Sequence, residues 1–315
     1  MGVLKTMSIN QRLNKLYDES KSVTFNNDSK FIFLSDCHRG DNSISDEFAH
    51  NQTIYLHALN YYFSEGYTYF EVGDGDELWE HNKFSLIREA HSDVYMKLKE
   101  FHDANRFYYF IGNHNVEFSK MRNVEKKLYY FFDEYTEQHR TLFEGIETYE
   151  SLILKHEESG SEIFVIHGHQ GELFNDYLWI IAMLMLRYVW RYLHIIGFKN
   201  PSSPAKNKHK RHKVEKKLSK WIVANKKILL AGHTHRPKFP LPGDVPYFND
   251  GCCIHPRNIT GIEIVNGEIM MVDWRIRTDA YGVLKIEKKV NRGPIKLEDY
   301  WKQIQDVEYK EPPVE

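Results

Sequence analysis

Cysteine is scarce: the 315-residue chain has 3, with Cys252 and Cys253 adjacent and Cys37 far away in sequence. That excludes a disulfide framework and a thiolate metal site of the CxxC type, and leaves a reducing, cytoplasmic setting as the expectation. An excess of one charge is also missing, since 42 Lys+Arg stand against 44 Asp+Glu for a net charge of -2. Near-neutrality argues against wholesale nucleic-acid binding. The most apolar stretch, Leu178 to Phe198, is interrupted by Arg187, Arg191 and His194. A membrane-spanning helix needs about 20 predominantly apolar residues, so no span is expected there. The opening MGVLKTMSINQRLNKLYDES has no apolar run of signal-peptide length. No solenoid repeat or long low-complexity tract is visible. What the chain does have is histidine, 17 residues of it, in a length that allows one large domain with a real core or two smaller ones.

Those histidines acquire meaning from where they stand. Residues 1–29 read as an arm, a short polar helix and a linker. FIFLS, Phe31 to Ser35, is a compact apolar run that reads as a buried strand and ends in DCHRG. The stretch from Asp46 to Glu65 reads as a helix stopped by Gly66. YTYFEV, Tyr67 to Val72, is a second strand ending at GDGDE; Lys83 to Phe101 is another helix; RFYYFI, Arg106 to Ile111, is a third strand ending at GNHN. Alternating strands and helices indicate an α/β architecture with a parallel sheet. Further on, LILKH and EIFVIH form two strands, the second ending in HGHQG, and KKILLA runs into GHTHRP. Tail strands near Tyr247 to Ile254, Thr260 to Val265 and Ile269 to Trp274, with VNGE at a hairpin turn, complete the expectation of a mixed second sheet. Between the HGHQG and GHTHRP strands lies an insertion, 172–225, helical in pattern, which reads as a cap over the site. The expected organisation is an arm at 1–29, a domain at 30–276 containing the cap, and a tail at 277–315.

Five polar motifs thus stand at five strand ends, where open α/β sheets bind ligands. They hold Asp36 and His38 in DCH, Asp74 in GDGD, Asn113 and His114 in GNH, His167 in HGH, and His233 and His235 in GHTH. Carboxylate, amide and imidazole form a borderline-hard donor set that suits Mn, Fe or Zn. One HxH alone says little, because alternate strand residues share a face that can simply be solvent-exposed. Five motifs on one edge are far more specific.

In that order the series resembles the calcineurin-like metallophosphoesterase family, whose pattern is DxH, GDxxD, GNH with an acid, a later HG, and GHxH. The likeness runs from Phe31 to about Ile276. It implies a four-layer, two-sheet α/β sandwich and a centre of two divalent metal ions. One ion would be held by Asp36, His38 and His235 and a second by Asn113, His167 and His233, with Asp74 bridging and His114 unligated, facing the leaving-group oxygen. The chemistry is reasonable on its own terms. A phosphodiester is anionic and resists attack. Two metals roughly 3.5–4 Å apart can clamp its oxygens, neutralise developing charge and make hydroxide available near neutral pH. A bridge needs a carboxylate, which offers two oxygens and a negative charge. His114 can stabilise charge as imidazolium or protonate the departing alkoxide.

The chain departs from the family at Asn115, where an acid often follows GNH. Asn cannot favour imidazolium by charge, so support for His114 must come from elsewhere. Asp76 is a candidate for that support, or else a solvated acid in a Gly-rich turn. His169 could reach the phosphate or cap a turn.

For substrate contacts, Arg39 directly after DCH could grip a phosphate oxygen bidentately, or be a surface Arg. In the insertion, Arg187, Arg191 and His194 fall at i, i+4 and i+7 on one helical stripe, and Trp179, Met183, Leu186 and Trp190 on another. The run Lys199 to Lys217 is strongly basic. An apolar helix followed by a basic run suits peripheral contact with anionic membrane or with a lipid-linked substrate; the alternative is a cap packed into a groove beside a solvated basic loop. The patterns YFNDGCCI and TGIEIVNGEIMMVDW look like the branch of the family that includes UDP-2,3-diacylglucosamine diphosphatase. The expected activity is hydrolysis of a phosphodiester or pyrophosphate, with a lipid-linked or nucleotide-linked phosphorylated substrate. Cyclic-nucleotide phosphodiesterase and protein phosphatase are the rivals within the enzyme class, and a non-catalytic binding module is the rival outside it.

Overall fold

The computed structural model describes residues 7–170, 183–190 and 208–309. Helix α1 (Ile9–Glu19) opens with a capping box in which the Ser8 hydroxyl accepts from the Gln11 amide and the Gln11 side chain accepts from the Ser8 amide. Then follow β1 (Lys21–Phe25), β2 (Phe31–Leu34), α2 (Gln52–Ser64), β3 (Thr68–Glu71), α3 (Phe84–Ala90), α4 (Ser92–Asp103) and β4 (Phe107–Phe110). A small hairpin, β5 (Tyr130–Asp133) and β6 (Gln138–Thr141), precedes β7 (Thr148–Tyr149), β8 (Ser151–His156) and β9 (Glu162–Ile166). After the helix Lys208–Asn225 come β10 (Ile228–Ala231), β11 (Tyr247–Asn249), β12 (Asn258–Val265), β13 (Glu268–Thr278) and β14 (Leu284–Lys296).

The strands form two large sheets, ordered β14-β13-β12-β2-β3-β4-β7 and β1-β8-β9-β10-β11. Strand alternation decides how they stack. Phe31, Phe33, Phe70 and Phe110 of the seven-stranded sheet meet Leu152, Leu154, Ile163, Val165, Ile228 and Leu230 of the five-stranded one in a shared core. Their neighbours point the other way, because successive side chains on a strand alternate faces. Ile32, Leu34, Tyr69 and Tyr109 pack with apolar residues of α2 and α4. Ile153, Phe164, Ile166 and Leu229 pack with Leu13 and Leu16 of α1 and with Val214, Leu218, Trp221 and Ile222. The result is the four-layer, two-sheet α/β sandwich, helix on sheet on sheet on helix. Burying each of these Phe, Leu or Ile side chains contributes about 1.5–3 kcal/mol. Among the described residues no helix is long and apolar enough to cross a membrane.

Several elements differ from the sequence expectation. Lys21–Phe25, read as linker, is a strand that runs parallel to β8 with Val23 opposite Leu154, and so satisfies the backbone of an edge that would otherwise be unpaired. β12 and β13 do not belong to the second sheet. β12 pairs antiparallel with β2, Ile262 opposite Phe33, which extends the first sheet. Their turn is the expected one, with Asn266 and Gly267 both at positive φ (55° and 69°). Leu284–Lys296, within the stretch read as a tail, pairs with β13. The helix expected over Lys83–Phe101 is two helices broken at His91, whose ring bonds to Asp46 and Gln52 and holds the backbone at φ -121°, ψ 36°.

The end of the expected cap is also reassigned. Helix Lys208–Asn225 lies on the five-stranded sheet beside α1, with Trp221 packed on Phe164 and its indole donating to Asn14. Its spacing of Val214, Leu218, Trp221 and Ile222 makes an apolar stripe, and a stripe of that width must be buried. Trp221→Ala is expected to cost about 3–5 kcal/mol in urea unfolding. An unchanged unfolding midpoint would show that this helix is not seated on the sheet.

Candidate metal centre

The sheets present their strand ends to one another, and the loops that leave them are tied together beyond the strands. Asp36 and His38 amides donate to the carbonyls of Gly73 and Asp74 at 3.1 and 2.9 Å, and Arg39 N to Gly75 at 2.9 Å. Within the five-stranded sheet Gly232 N donates to the His167 carbonyl at 2.9 Å, and across the sandwich His233 N donates to Asp36 Oδ2 at 2.7 Å. Five of the seven expected ligands, Asp36, His38, Asp74, His233 and His235, have φ between 48° and 66°. Outside glycine this left-handed region is uncommon and costs energy; Asp, Asn and His tolerate it best, and it collects at functional sites. Glycine is needed where backbones come closest: a Cβ on Gly73 (φ 85°) would lie 2.5 Å from the His167 ring, and one on Gly112 would lie 2.1 Å from an Asp74 oxygen.

Six of the seven expected ligands fall into two adjacent groups, and the seventh, Asn113, is buried. Candidate ligand atoms of Asp36, His38 and His235 lie within 4.8 Å of one another, and so do those of Asp74, His167 and His233. His235 Nε2 is 3.0 Å from Asp36 Oδ1, and His38 Nε2 is 3.3 Å from His235 Nε2. Asp74 Oδ2 lies between the halves, 3.1 Å from His167 Nε2 and 3.9 Å from His38 Nε2, while its Oδ1 accepts from the His114 amide at 2.8 Å.

Hydrogen bonds on the far side of each ring decide which nitrogen faces inward. His167 Nδ1 donates to the Val72 carbonyl at 2.8 Å, and His38 Nδ1 to the Glu77 carboxylate at 2.9 Å. Both Nε2 lone pairs therefore point into the centre. Asp36 Oδ2 takes the Ser35 hydroxyl and the His233 amide, leaving Oδ1 inward. Asp36 Oδ1, Asn113 Oδ1 and His167 Nε2 are buried with no hydrogen-bond partner among the described residues. Buried acceptors facing one another repel unless positive charge sits among them, so the residues fit a divalent cation.

Without such an ion, protons supply that charge. Burial disfavours charge on His167, but Asp74 and Asp36 outweigh it and push the imidazole up to about 9. His38 moves well upward against the same burial, through hydrogen bonds to Asp36 and Glu77 and the charge of Asp74. Burial works against Asp36 and Asp74 too, yet the surrounding imidazoles hold both carboxyls well below the usual range. His169 is also buried, and burial together with His167 and His233 pushes it well down, so it stands neutral with its ring 5.4 Å from that of His167.

His114 sits at the edge of this group, its ring 4.5 Å from that of His38. Its support is Glu77, which accepts from Nδ1 at 2.7 Å, and Trp79, which stacks on the ring at 4.3 Å and 24°. Burial raises the Glu77 carboxyl, but His114 and His38 outweigh it and keep it ionised. Asp76 does not have that role. It accepts from Arg39 Nε at 2.8 Å and from the hydroxyls of Tyr95 and Tyr109. Asn115 shapes the loop instead of charging the histidine, with Oδ1 accepting from Gly112 N at 2.6 Å. Glu77 stands three places after Asp74, where GDxxD carries its second acid, and that spacing is the signal by which the sequence could have identified it.

Two expected substrate contacts are also revised. Arg39 is fully buried, with Nη1 and Nη2 each 2.7 Å from a Glu71 oxygen and Nε on Asp76, so its fork is spent inside the protein and not on a phosphate. Arg187 donates to the carbonyls of Trp79 and Leu78 at 2.9 and 2.8 Å. Arg191 lies outside the described residues.

No protein-family model and no curated protein matches this sequence. Among solved structures, the chain is similar to Vps29 of Chaetomium thermophilum, at 9% sequence identity and a TM-score of 0.33, over 84% of this chain and 95% of that one. So loose a likeness adds nothing to the geometry of the centre.

Because His167 titrates near 9 in the folded, metal-free protein and near its ordinary value of 6.5 when unfolded, its stabilisation is full below pH 6.5 and is lost as pH rises through 9. The loss is on the order of 3 kcal/mol. Metal-free protein is therefore expected to melt at falling temperature between pH 6.5 and 9, whereas protein with Mn²⁺ does not, and Mn²⁺ uptake at pH 7 releases protons. Parallel melting curves with no proton release would contradict this electrostatic reading.

Proposed function

We propose that the chain is a divalent-metal-dependent phosphohydrolase that cleaves a phosphodiester or pyrophosphate bond. The observation that carries the reading is the convergence of buried, inward-facing acceptors from five strand ends beside a second imidazole, His114, that Glu77 holds by Nδ1. Asp36, His38 and His235 would hold one ion and Asn113, His167 and His233 another, with Asp74 Oδ2 shared. Mn, Fe and Zn all suit these donors, and bound there they supply Lewis acidity and lower the pKa of a water.

The chain's own residues do the rest. Glu77 fixes Nδ1 of His114 and aims Nε2 outward, from which the ring as an imidazolium would give a proton to the departing oxygen. Trp79 covers one face of the ring and keeps water from it. His169, neutral beside His167, can accept or donate a single hydrogen bond without adding charge to the centre.

A substrate with a large apolar part fits what surrounds the site, and agrees with the resemblance to the branch that includes UDP-2,3-diacylglucosamine diphosphatase. Leu184, Met185 and Tyr188 are exposed on the segment that Arg187 ties to the Trp79 loop. On the helix Lys208–Asn225 the side opposite the apolar stripe exposes His209, Lys213, Lys216 and Lys220, at i, i+4, i+7 and i+11. A basic helical face of this kind suits peripheral docking on an anionic membrane.

Adding Mn²⁺ to metal-free protein is expected to start hydrolysis of bis-p-nitrophenyl phosphate. His114→Ala should lower kcat about 10²–10⁴-fold on an alkyl phosphodiester, the range for a lost general acid, and less on the nitrophenyl ester, whose phenolate leaves without a proton. Absence of metal-dependent turnover would overturn the reading in favour of a binding module. For the membrane, the protein is expected to sediment with phosphatidylserine vesicles at low salt and to be released at high salt. Salt-insensitive or absent sedimentation would remove the membrane from the account.

A further inference from the structure

Within the described part of the insertion, residues 183–190 meet the Asp74–Trp79 loop through Arg187. This residue lies in a π-helical turn, Leu186–Trp190, a geometry that is rare and frequently found at functional sites. Its Nε donates to the Trp79 carbonyl at 2.9 Å and its Nη2 to the Leu78 carbonyl at 2.8 Å. Those two acceptors adjoin the groups that hold His114. The Glu77 carboxylate takes Nδ1 at 2.7 Å, and the Trp79 indole lies on the imidazole at 4.3 Å. Three consecutive residues therefore carry both the clamp on the imidazole and the acceptors for the guanidinium. The Trp79 ring is buried, and among the described residues its Nε1 has no hydrogen-bond partner, so that within them its backbone and the stack fix its plane. A guanidinium is a planar fork that can bind two neighbouring carbonyls at once and fix them relative to each other, which an ammonium cannot do.

We propose that Arg187 is a positioning residue: by pinning the Leu78 and Trp79 carbonyls it holds the indole against His114 and keeps Glu77 on Nδ1, so that the imidazole is correctly aimed only while the guanidinium holds both carbonyls. The kinetic side of this inference rests on the phosphohydrolase reading, and the spectroscopic side rests on the geometry alone. A histidine stacked on an indole quenches its fluorescence, so emission from Trp79, obtained by subtracting the Trp79→Phe variant, reports the stack.

The test compares Arg187→Ala and Arg187→Lys with the Mn²⁺-loaded full chain. Arg187→Ala is expected to raise Trp79 emission and to lower kcat on an alkyl phosphodiester about tenfold with KM within about twofold, the pattern of a misplaced group and not of a lost substrate contact. Arg187→Lys, which can keep only one of the bonds, should fall between, and it carries the test if the Ala variant does not fold. Unchanged Trp79 emission in the variants overturns the proposal, as does a rise in KM at constant kcat, which would place Arg187 on the substrate. Should the wild-type chain show no metal-dependent turnover, the phosphohydrolase reading fails while the emission comparison still decides whether Arg187 holds the stack.

Discussion

Inside the strand-end cluster, lone pairs face lone pairs. Asp36 Oδ1, Asp74 Oδ2, His167 Nε2 and His38 Nε2 lie within a few ångströms of one another, and hydrogen bonds behind each group prevent it from turning away. Such an arrangement is stable only with positive charge among the acceptors, as protons or as metal. Much of the surrounding structure answers that constraint. The left-handed backbone at five of the expected ligands aims them inward, the glycines at 73 and 112 let loops approach without a Cβ, and bonds from His167 Nδ1 to the Val72 carbonyl and from the His233 amide to Asp36 join the ends of the two sheets. Strain of this kind persists only where the surroundings over-determine it.

Below the centre, a second polar group holds the loops from the core side. Arg39 bridges Glu71, the last residue of β3, and Asp76, while the hydroxyls of Tyr55, Tyr69, Tyr95 and Tyr109 occupy remaining acceptor positions of the two carboxylates. A buried ion pair is weak evidence of stability in itself, because desolvation offsets attraction. Here its effect is geometric: the Asp74–Glu77 loop cannot shift without breaking the bonds that Asp76 accepts from Arg39 Nε, Tyr95 and Tyr109 in a dry interior. Charge supports the centre from beneath, and Glu77 with Trp79 supports His114 from the side.

The sequence made the strand ends legible for a simple reason. An apolar run that stops abruptly at Asp, Asn or His marks both a buried strand and a polar mouth, and each such run from FIFLS to KKILLA occupies a strand of the sandwich. Three things were less legible. The partner of His114 was sought at Asp76, yet neighbouring residues in a loop point different ways, and only the fold shows that Glu77 turns to the ring while Asp76 turns inward. Arg39 reads in the sequence as a phosphate contact or a surface residue because its partners are distant in sequence, although Glu71 within the apolar YTYFEV run is a sign that a buried carboxylate needs a cation. Strands β1 and β14 were hidden because they are edge strands with mostly exposed side chains, so they lack the apolar period that identifies the central ones.

The central claim is that these five strand ends bind two ions on either side of Asp74. Anomalous diffraction from crystals of the Mn²⁺-loaded protein tests it most directly. Two manganese peaks are expected, one among Asp36, His38 and His235 and the other among Asn113, His167 and His233, with the Asp74 carboxylate reaching both. No peak within this cluster, or manganese bound only elsewhere, would contradict the account.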